Sequence, residues 1–406
     1  MSEVLDRHTL RTSGGVAGNA RGAPQGRPER KVETMVYALN PSAEPATAST
    51  DISQVLTPDG VRVENVELDS YLESVTPQEV LALYRDMAIV RRIDKEGFSL
   101  QRQGQLGLWA PSLGQEAAQV GTARALRDSD FVFPSYRETG VIYVRGAEDR
   151  DFVGTWRGET NSTYDPYRIN TATMQIIIGA QTLHAVGYAM GITADNADDV
   201  AVTYFGDGAS SQGDVNEAMI FASSFKAPVV FVCQNNQWAI SEPVRVQSEF
   251  PIAGRAPAFG IPSMRVDGND VLACLAAMRW ATEHARSGHG PAFIEAVTYR
   301  MGPHTTSDDP TRYRDEAELD SWRQRDPLDR VEKYLRDLGV LTEAAEAEIA
   351  AEADRVGAAV REAALTMPNR APMEVFDHAY ATPHTGVDAE RRAYAAYLAQ
   401  FEGGAA

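Results

Sequence analysis

Two short clusters stand out for the chemistry they could do together. Gly206-Asp207-Gly208 follows the apolar run 200–205, Asn235-Asn236 follows the apolar run 229–233, and 26 residues separate Gly208 from Asn235. An aspartate carboxylate and an asparagine amide are hard oxygen donors of the kind that Mg²⁺ takes beside phosphate oxygens and water. Glycines on either side let the backbone come close to a phosphate and aim its N–H groups there. Gly-Asp-Gly alone reads as a tight turn. Paired with Asn-Asn across a strand–loop–helix–strand interval, it reads as a metal-diphosphate site. His304 is the second candidate. It lies in a loop crowded with Gly, Pro, Thr and Ser, where no apolar period explains a histidine. Its ordinary pKa near 6.5 suits proton transfer or charge stabilisation at neutral pH, against the plainer reading of an exposed loop histidine. His184, in a helical stretch after Gly179, reads instead as a packed helix histidine.

Positioning Asp207 and Asn236 at one point requires two neighbouring parallel strands, because ligands of open parallel sheets bind outside the carboxyl ends of the strands. The runs 200–205, 229–233 and 292–297 read as buried strands and 216–225 as a helix between the first two. This alternation predicts an α/β fold, a parallel sheet with helices on both faces. Thr76-Pro77-Gln78-Glu79 carries the cap, first-turn proline and acidic third position of a helix start. Three segments are expected: a disordered N-terminal extension over 1–60, the diphosphate- and Mg²⁺-binding α/β domain over 61–315, and a helical C-terminal segment over 316–406 whose acidic run is a solvated face.

Residues 1–50 are rich in Gly, Ala, Pro, Ser and Arg with no apolar period, a composition that cannot offset its ordering entropy. Glu3, Asp6, Glu29 and Glu33 count against a transit peptide there, and translation starting at Met35 is the bland alternative. With 38 Lys+Arg against 57 Asp+Glu the net charge is −19, which excludes an electrostatic nucleic-acid footprint. No run approaches the roughly 20 apolar residues of a membrane span. Cys233 and Cys274 are the only cysteines, which excludes a disulfide scaffold and a Cys-x-x-Cys zinc site. A cytoplasmic protein without nucleic-acid or membrane partners is expected.

The pairing of Gly206-Asp207-Gly208 with Asn235-Asn236 matches the thiamine diphosphate motif. The fuller blocks Gly206 to Asp214 and Asn235 to Ser241 resemble the alpha subunit of the decarboxylating first component of 2-oxoacid dehydrogenase complexes. Leu113-Gly114-Gln115-Glu116, Tyr136-Arg137-Glu138 and Tyr299-Arg300-Met301-Gly302-Pro303-His304 resemble three further blocks of that family, in the same order. The resemblance covers about 76–382, roughly three-quarters of the chain. It implies a thiamine-diphosphate-binding fold with thiamine diphosphate and Mg²⁺ as cofactors. By resemblance, Asp207, the Asn236 side chain and the Trp238 carbonyl would bind the metal. Tyr136 and Arg137 would hold the diphosphate, for which a guanidinium fork is suited, against a surface salt bridge as the plain reading. Gly206, Gly208 and Ala209 would line the cofactor. Ile178 would hold it bent, against the reading of a core aliphatic. His304 would sit beside it and assist acylation of a lipoyl group.

The family needs a second half, carrying an activating glutamate, that this chain does not show. A beta subunit is therefore implied, in an alpha-two beta-two heterotetramer docked on a lipoylated acyltransferase, and the chain alone should be inactive. Rival readings are a lone thiamine-dependent decarboxylase and a non-catalytic Mg²⁺- or nucleotide-binding module. The run Thr306-Ser307-Asp308-Asp309-Pro310 looks closer to branched-chain enzymes, which favours 2-oxoisovalerate (3-methyl-2-oxobutanoate) and its homologues over the alternative, pyruvate. Two positions depart from family patterns: Gln234 stands where relatives often carry Arg or Glu, and Ser135 where eukaryotic branched-chain enzymes carry Gln. Gln175 to Ala180 replaces a hydroxyl-rich cation-binding segment, so no monovalent ion is expected. Thr305, Thr306 and Ser307 fall where mitochondrial relatives are phosphorylated.

Overall fold

Successive Val, Phe, Tyr and Ile residues suit a strand whose two faces are both covered, and the apolar runs become such strands. The computed structural model describes residues 51–159 and 162–402. The expected disordered arm, with Met35, lies outside them up to residue 50. The chain runs through helices α1 (Pro77–Arg102) and α2 (Glu116–Arg124), strand β1 (Phe131–Phe133), helices α3 (Thr139–Val144), α4 (Asp149–Arg157) and α5 (Ala180–Asp195), strand β2 (Ala201–Gly206), helix α6 (Gly213–Phe225) and strand β3 (Val229–Asn235). A small hairpin follows, β4 (Trp238–Ala239) and β5 (Glu242–Pro243), then α7 (Val244–Gln247), β6 (Ser263–Asp267), α8 (Val271–His284) and β7 (Ala292–Val297). Helices α9 (Glu316–Arg323), α10 (Pro327–Asp337), α11 (Glu343–Thr366) and α12 (Thr385–Glu402) complete it.

The main sheet is parallel throughout, in the order β1-β2-β3-β7-β6. Alternate strand residues face opposite sides, as the pleat requires. Val202, Tyr204, Val230, Val232 and Ile294 enter a core roofed by α1, α2, α8 and α10. Phe205, Phe231, Cys233 and Phe293 enter a second core under α5 and α6. The expected parallel sheet with helices on both faces is what forms, and each such buried side chain contributes about 1.5–3 kcal/mol. At the start of α1, Thr76 and Glu79 cap each other: the Glu79 N–H donates to Thr76 Oγ1 (3.3 Å) and the Thr76 N–H to Glu79 Oε2 (2.7 Å). Among the described residues, no helix is long and apolar enough to cross a membrane.

Structure begins earlier than the boundary expected at residue 60. Val55 and Leu56 are fully buried, and both donate their N–H groups to Asp270 Oδ2, at 2.7 and 2.6 Å. This edge segment has no strand-length apolar period, so composition alone does not reveal it. The chain beyond 316 is likewise not set apart from the sheet. Leu328, Val331, Leu335 and Ile349 join the first core. Ala353, Val360 and Ala364 of α11 pack with Ile89, Ile93 and Leu100 of α1 and with Trp109. Gly97 makes room for that third cluster: a Cβ there would lie 2.3 Å from the Trp109 ring.

Candidate active site

The carboxyl ends of β2 and β3 lie side by side, with Gly206 paired to Gln234. Asp207 leaves β2 into a tight turn (Asp207–Ser211), and Asn236 leaves β3 toward the β4–β5 hairpin. Gly208 is required by close approach: a Cβ there would meet the Ala239 Cβ at 2.7 Å, so only glycine lets the turn press on the hairpin. Both side chains open into one cavity of about 440 Å³. Every residue singled out from the sequence for cofactor, metal or proton handling lines it: Tyr136, Arg137, Ile178, Gly206, Asp207, Gly208, Ala209, Asn236, Trp238 and His304.

Asp207 is 1% exposed, and burial pushes its carboxyl up to about 6, opposed first by a hydrogen bond from Gln247 Nε2 to Oδ2 (3.1 Å). Asn236 donates from Nδ2 to Gln115 Oε1 (3.1 Å), and its Oδ1 accepts the Trp238 N–H (3.3 Å). The Trp238 carbonyl accepts from Arg300 Nη1 at 2.9 Å, which leaves its second lone pair. Gln237 and Ile240 flank this carbonyl with φ of 74° and 57°. For a β-branched residue such as Ile240 the left-handed region is strained by about 1–3 kcal/mol. Arg300 grips the turn a second time, donating to the Ile240 carbonyl at 2.7 Å.

The opposite wall is a network of hydrogen-bonded charge. Arg137 donates from Nη1 to the Pro111 carbonyl (2.6 Å) and from Nη2 to the His304 carbonyl (2.9 Å). Its Nη2 also lies 3.1 Å from His304 Nδ1, and Arg300 Nη1 lies 3.4 Å from the same nitrogen. Both guanidiniums can only donate, so Nδ1 accepts and the ring proton resides on Nε2. The His304 N–H donates to Asp308 Oδ2 (2.7 Å), which also accepts from the Tyr313 hydroxyl (2.5 Å). The expectation of a near-neutral pKa at His304 is overturned. Burial first, then the Arg137 and Arg300 charges, draw it down to about 3. Arg300, fully buried, is itself drawn down to about 10 by burial and by Arg137.

Ile178 is 41% exposed, so the core-aliphatic reading falls; with Ile176 and Ile240 it forms an apolar rim. His184 lies on α5 as expected, but its side chain is exposed rather than packed, because it falls on the helix face away from the sheet. Arg300, Gln247 and the cavity-lining Gln115 and Gln181 carried no role in the sequence reading, and a four-residue helix such as α7 leaves no periodic signal to find Gln247 by.

The donor set suits a polar ligand with a hard cation. Gln115 Nε2, Gln181 Oε1 and Gln234 Oε1 are buried without a hydrogen-bond partner, and all three residues line the cavity. Each such group costs about 1–3 kcal/mol until something in the cavity pairs with it. Among the described residues, no group of three or more His, Cys, Asp and Glu side chains forms a metal cluster. One carboxylate, one amide and one carbonyl remain, a set that fits Mg²⁺ with phosphate oxygens and water rather than zinc.

Residues 84–371 match the family model described as dehydrogenase E1 component. The 3-methyl-2-oxobutanoate dehydrogenase subunit alpha of Mycobacterium tuberculosis (strain ATCC 25618 / H37Rv) is 48% identical over 326 residues, covering 80% of this chain and 89% of that protein. The pyruvate dehydrogenase E1 component subunit alpha of Staphylococcus epidermidis (strain ATCC 12228 / FDA PCI 1200) is 41% identical over 316 residues, covering 77% and 84%. Its namesake in Staphylococcus aureus (strain Mu50 / ATCC 700699) is 40% identical over 317 residues, with the same coverage of 77% and 84%.

Proposed function

This chain belongs to the dehydrogenase E1 component family, and from that membership we propose that it is the alpha subunit of a cytoplasmic thiamine-diphosphate-dependent 2-oxoacid dehydrogenase acting on 3-methyl-2-oxobutanoate and its homologues. The observation that carries the reading is the meeting of Asp207 and Asn236, from neighbouring strand ends, with Arg137 and His304 around one cavity. Identity to the mycobacterial 3-methyl-2-oxobutanoate relative, at 48%, exceeds the 41% to the staphylococcal pyruvate relative and supports the branched-chain preference.

In the reaction the C1–C2 bond of the oxoacid breaks and carbon dioxide leaves. The acyl carbon is oxidised as a lipoyl disulfide is reduced, so that the acyl group ends on one sulfur and a proton on the other. Bound thiamine diphosphate supplies the carbanion and electron sink that side chains lack. Asp207, the Asn236 amide and the Trp238 carbonyl would hold Mg²⁺. Arg137 and Tyr136 would hold the diphosphate, Gly206, Gly208 and Ala209 would let it lie close to the backbone, and Ile178 would support the bent cofactor from the rim. His304 offers an N–H at Nε2, fixed in tautomer by the two arginines, to the lipoyl acyl-transfer step; it acts as a neutral donor rather than an imidazolium. An anion beside Arg137 offsets one of the cations that depress the His304 pKa.

The rim supports a partner chain. Ile176, Ile177, Ile178 and Ile240 are all more than 40% exposed, and Tyr188 of α5 with Ile220, Phe221 and Phe225 of α6 adds further exposed apolar surface. Such surface on a soluble fold marks an interaction site, here for the beta subunit of an alpha-two beta-two assembly that delivers acyl groups to a lipoylated acyltransferase. The test is co-expression with a beta-type chain and assay with thiamine diphosphate, Mg²⁺ and an artificial electron acceptor. Turnover only when both chains are present, faster on 3-methyl-2-oxobutanoate than on pyruvate, is expected. Turnover by this chain alone, or calorimetric binding of ATP in place of thiamine diphosphate, would overturn the reading; faster turnover of pyruvate would overturn the substrate alone.

A further inference from the structure

Gln247 reaches Asp207 from outside the cavity. It stands half-buried on α7 and is not part of the cavity lining, yet its Nε2 donates to Asp207 Oδ2 at 3.1 Å. Among the described residues it is the one side chain hydrogen-bonded to this carboxylate. One carboxylate oxygen is therefore engaged from behind, and Oδ1 is left for whatever occupies the cavity that Asp207 lines. An amide is neutral, so it fixes the carboxylate without cancelling its charge, which a lysine or arginine in the same place would do.

The amide is itself held at both of its ends. Gln247 Oε1 accepts from Ser211 Oγ (3.3 Å), at the far end of the turn that Asp207 begins. The Gln247 carbonyl accepts from Arg255 Nη2 (3.3 Å), and Arg255 Nη1 donates to the Ser210 carbonyl of the same turn. Ser210 Oγ closes that turn on the Asp207 carbonyl at 2.7 Å. The first residue of α7 is tied to the hairpin: the Val244 N–H donates to the Gln237 carbonyl at 3.0 Å, one residue from the Trp238 carbonyl. An amide pinned in this way does not follow the carboxylate when it rotates. It holds the carboxylate in one orientation.

Resting on the function proposed above, in which Asp207 is a ligand of Mg²⁺, we infer that Gln247 sets the choice of cation: by occupying Oδ2 it limits Asp207 to a single metal-binding oxygen and so selects Mg²⁺ over Ca²⁺. Mg²⁺ is small and demands near-ideal octahedral positions, with one or two carboxylates beside phosphate oxygens and water. Ca²⁺ is larger, takes about six to eight oxygens in flexible geometry, and accepts both oxygens of one carboxylate. Selectivity between the two follows from the number and the freedom of the ligands. Without Gln247, Oδ2 is released and the carboxylate can turn, which supplies the extra oxygen and the slack that favour Ca²⁺. Gln247 lies outside the cavity and acts through Asp207, as a positioning residue.

The experiment titrates Mg²⁺ or Ca²⁺ calorimetrically into the metal-free, co-expressed alpha–beta enzyme in the presence of equimolar thiamine diphosphate. The wild type should bind Mg²⁺ more tightly. In Gln247→Ala the ratio of the Ca²⁺ Kd to the Mg²⁺ Kd should fall by about 10-fold, the scale on which groups that orient a metal ligand act. Gln247→Leu keeps the side-chain volume without the N–H donor; it should lower the ratio as far, and it covers the case in which Gln247→Ala does not fold. A packing role alone would be preserved by leucine and would weaken both cations alike in Gln247→Ala. If the wild type binds a divalent cation and the ratio stays within twofold in Gln247→Leu, or if the wild type takes the two cations equally, this inference is wrong while the function stands. If the wild-type pair binds neither cation beside thiamine diphosphate, the metal-binding role of Asp207 itself fails, and the inference with it.

Discussion

The two sides of the cavity are built on opposite terms. On the side of Arg137, Arg300 and His304, this chain supplies both halves of every polar contact: two guanidiniums, an imidazole, the Asp308 carboxylate and the Tyr313 hydroxyl close on one another. On the side of Ile176, Ile177 and Ile178, three consecutive aliphatic side chains are left between 41% and 70% exposed. Charged groups have to be arranged before a ligand arrives, because preorganised dipoles cost no reorganisation during reaction. Apolar surface needs only to be covered, and a second chain can cover it. The contrast teaches that the network around Arg137, Arg300 and His304 closes within this chain, whereas the isoleucine rim is left uncovered by it.

The largest effect is expected on the charged side. Asp207→Ala should weaken Mg²⁺-dependent binding of thiamine diphosphate by more than about 100-fold, since it removes the only carboxylate of the donor set. Calorimetry in the alpha–beta assembly checks this, and retained binding would remove the metal from that end of the cavity. His304→Ala should lower acyl transfer to lipoamide by roughly 10- to 100-fold while sparing decarboxylation in an artificial-acceptor assay; equal losses in both assays would argue against a role confined to acyl transfer.

The open side is probed by Ile177→Asp, at a position outside the cavity lining. It should reduce capture of the beta chain by about 10-fold, seen as separate peaks in size-exclusion chromatography with light scattering. The melting temperature of the alpha chain itself should move little, as is usual for exposed positions. Unchanged assembly would mean that the isoleucines serve something other than the partner.

The smallest effect concerns pH. With the His304 pKa drawn down to about 3 by burial and by Arg137 and Arg300, its imidazole should stay neutral from pH 8 to 5, with NMR ring shifts flat across that range. The unfolded chain binds that proton at about 6.5 and the folded chain does not, so this group's contribution to stability is intact above pH 6.5 and declines as pH falls below it. A titration midpoint for His304 between 5 and 8 in the free chain would break the paired-arginine account.

The strands and the Thr76–Glu79 cap were legible because local rules and tertiary packing agree there: β-branched and aromatic runs suit a sheet covered on both faces. Asp207 and Asn236 were legible because strand-end position and donor chemistry can both be read in one dimension. What remained hidden depends on contacts across long sequence distances. Nothing near Val55 and Leu56 announces their binding to Asp270, 215 and 214 residues away. His304 looked like an ordinary titrating histidine because Arg137, 167 residues earlier, is invisible to local reading. The exposure of His184 likewise depends on which helix face meets the sheet, and weak apolar periodicity over 180–195 does not decide that; Ile178 lies in the turn just before that helix.

The left-handed Ile240, clasped by Arg300, makes the chain's behaviour under artificial selection foreseeable. Replacement by glycine relieves the strain, so a library screened for heat tolerance should enrich Ile240→Gly early. Those survivors would carry a looser Trp238 carbonyl and a rim shorn of one aliphatic group. Evolving this subunit for durability by thermal challenge alone therefore leads away from the enzyme, and such screens should score turnover from the first round.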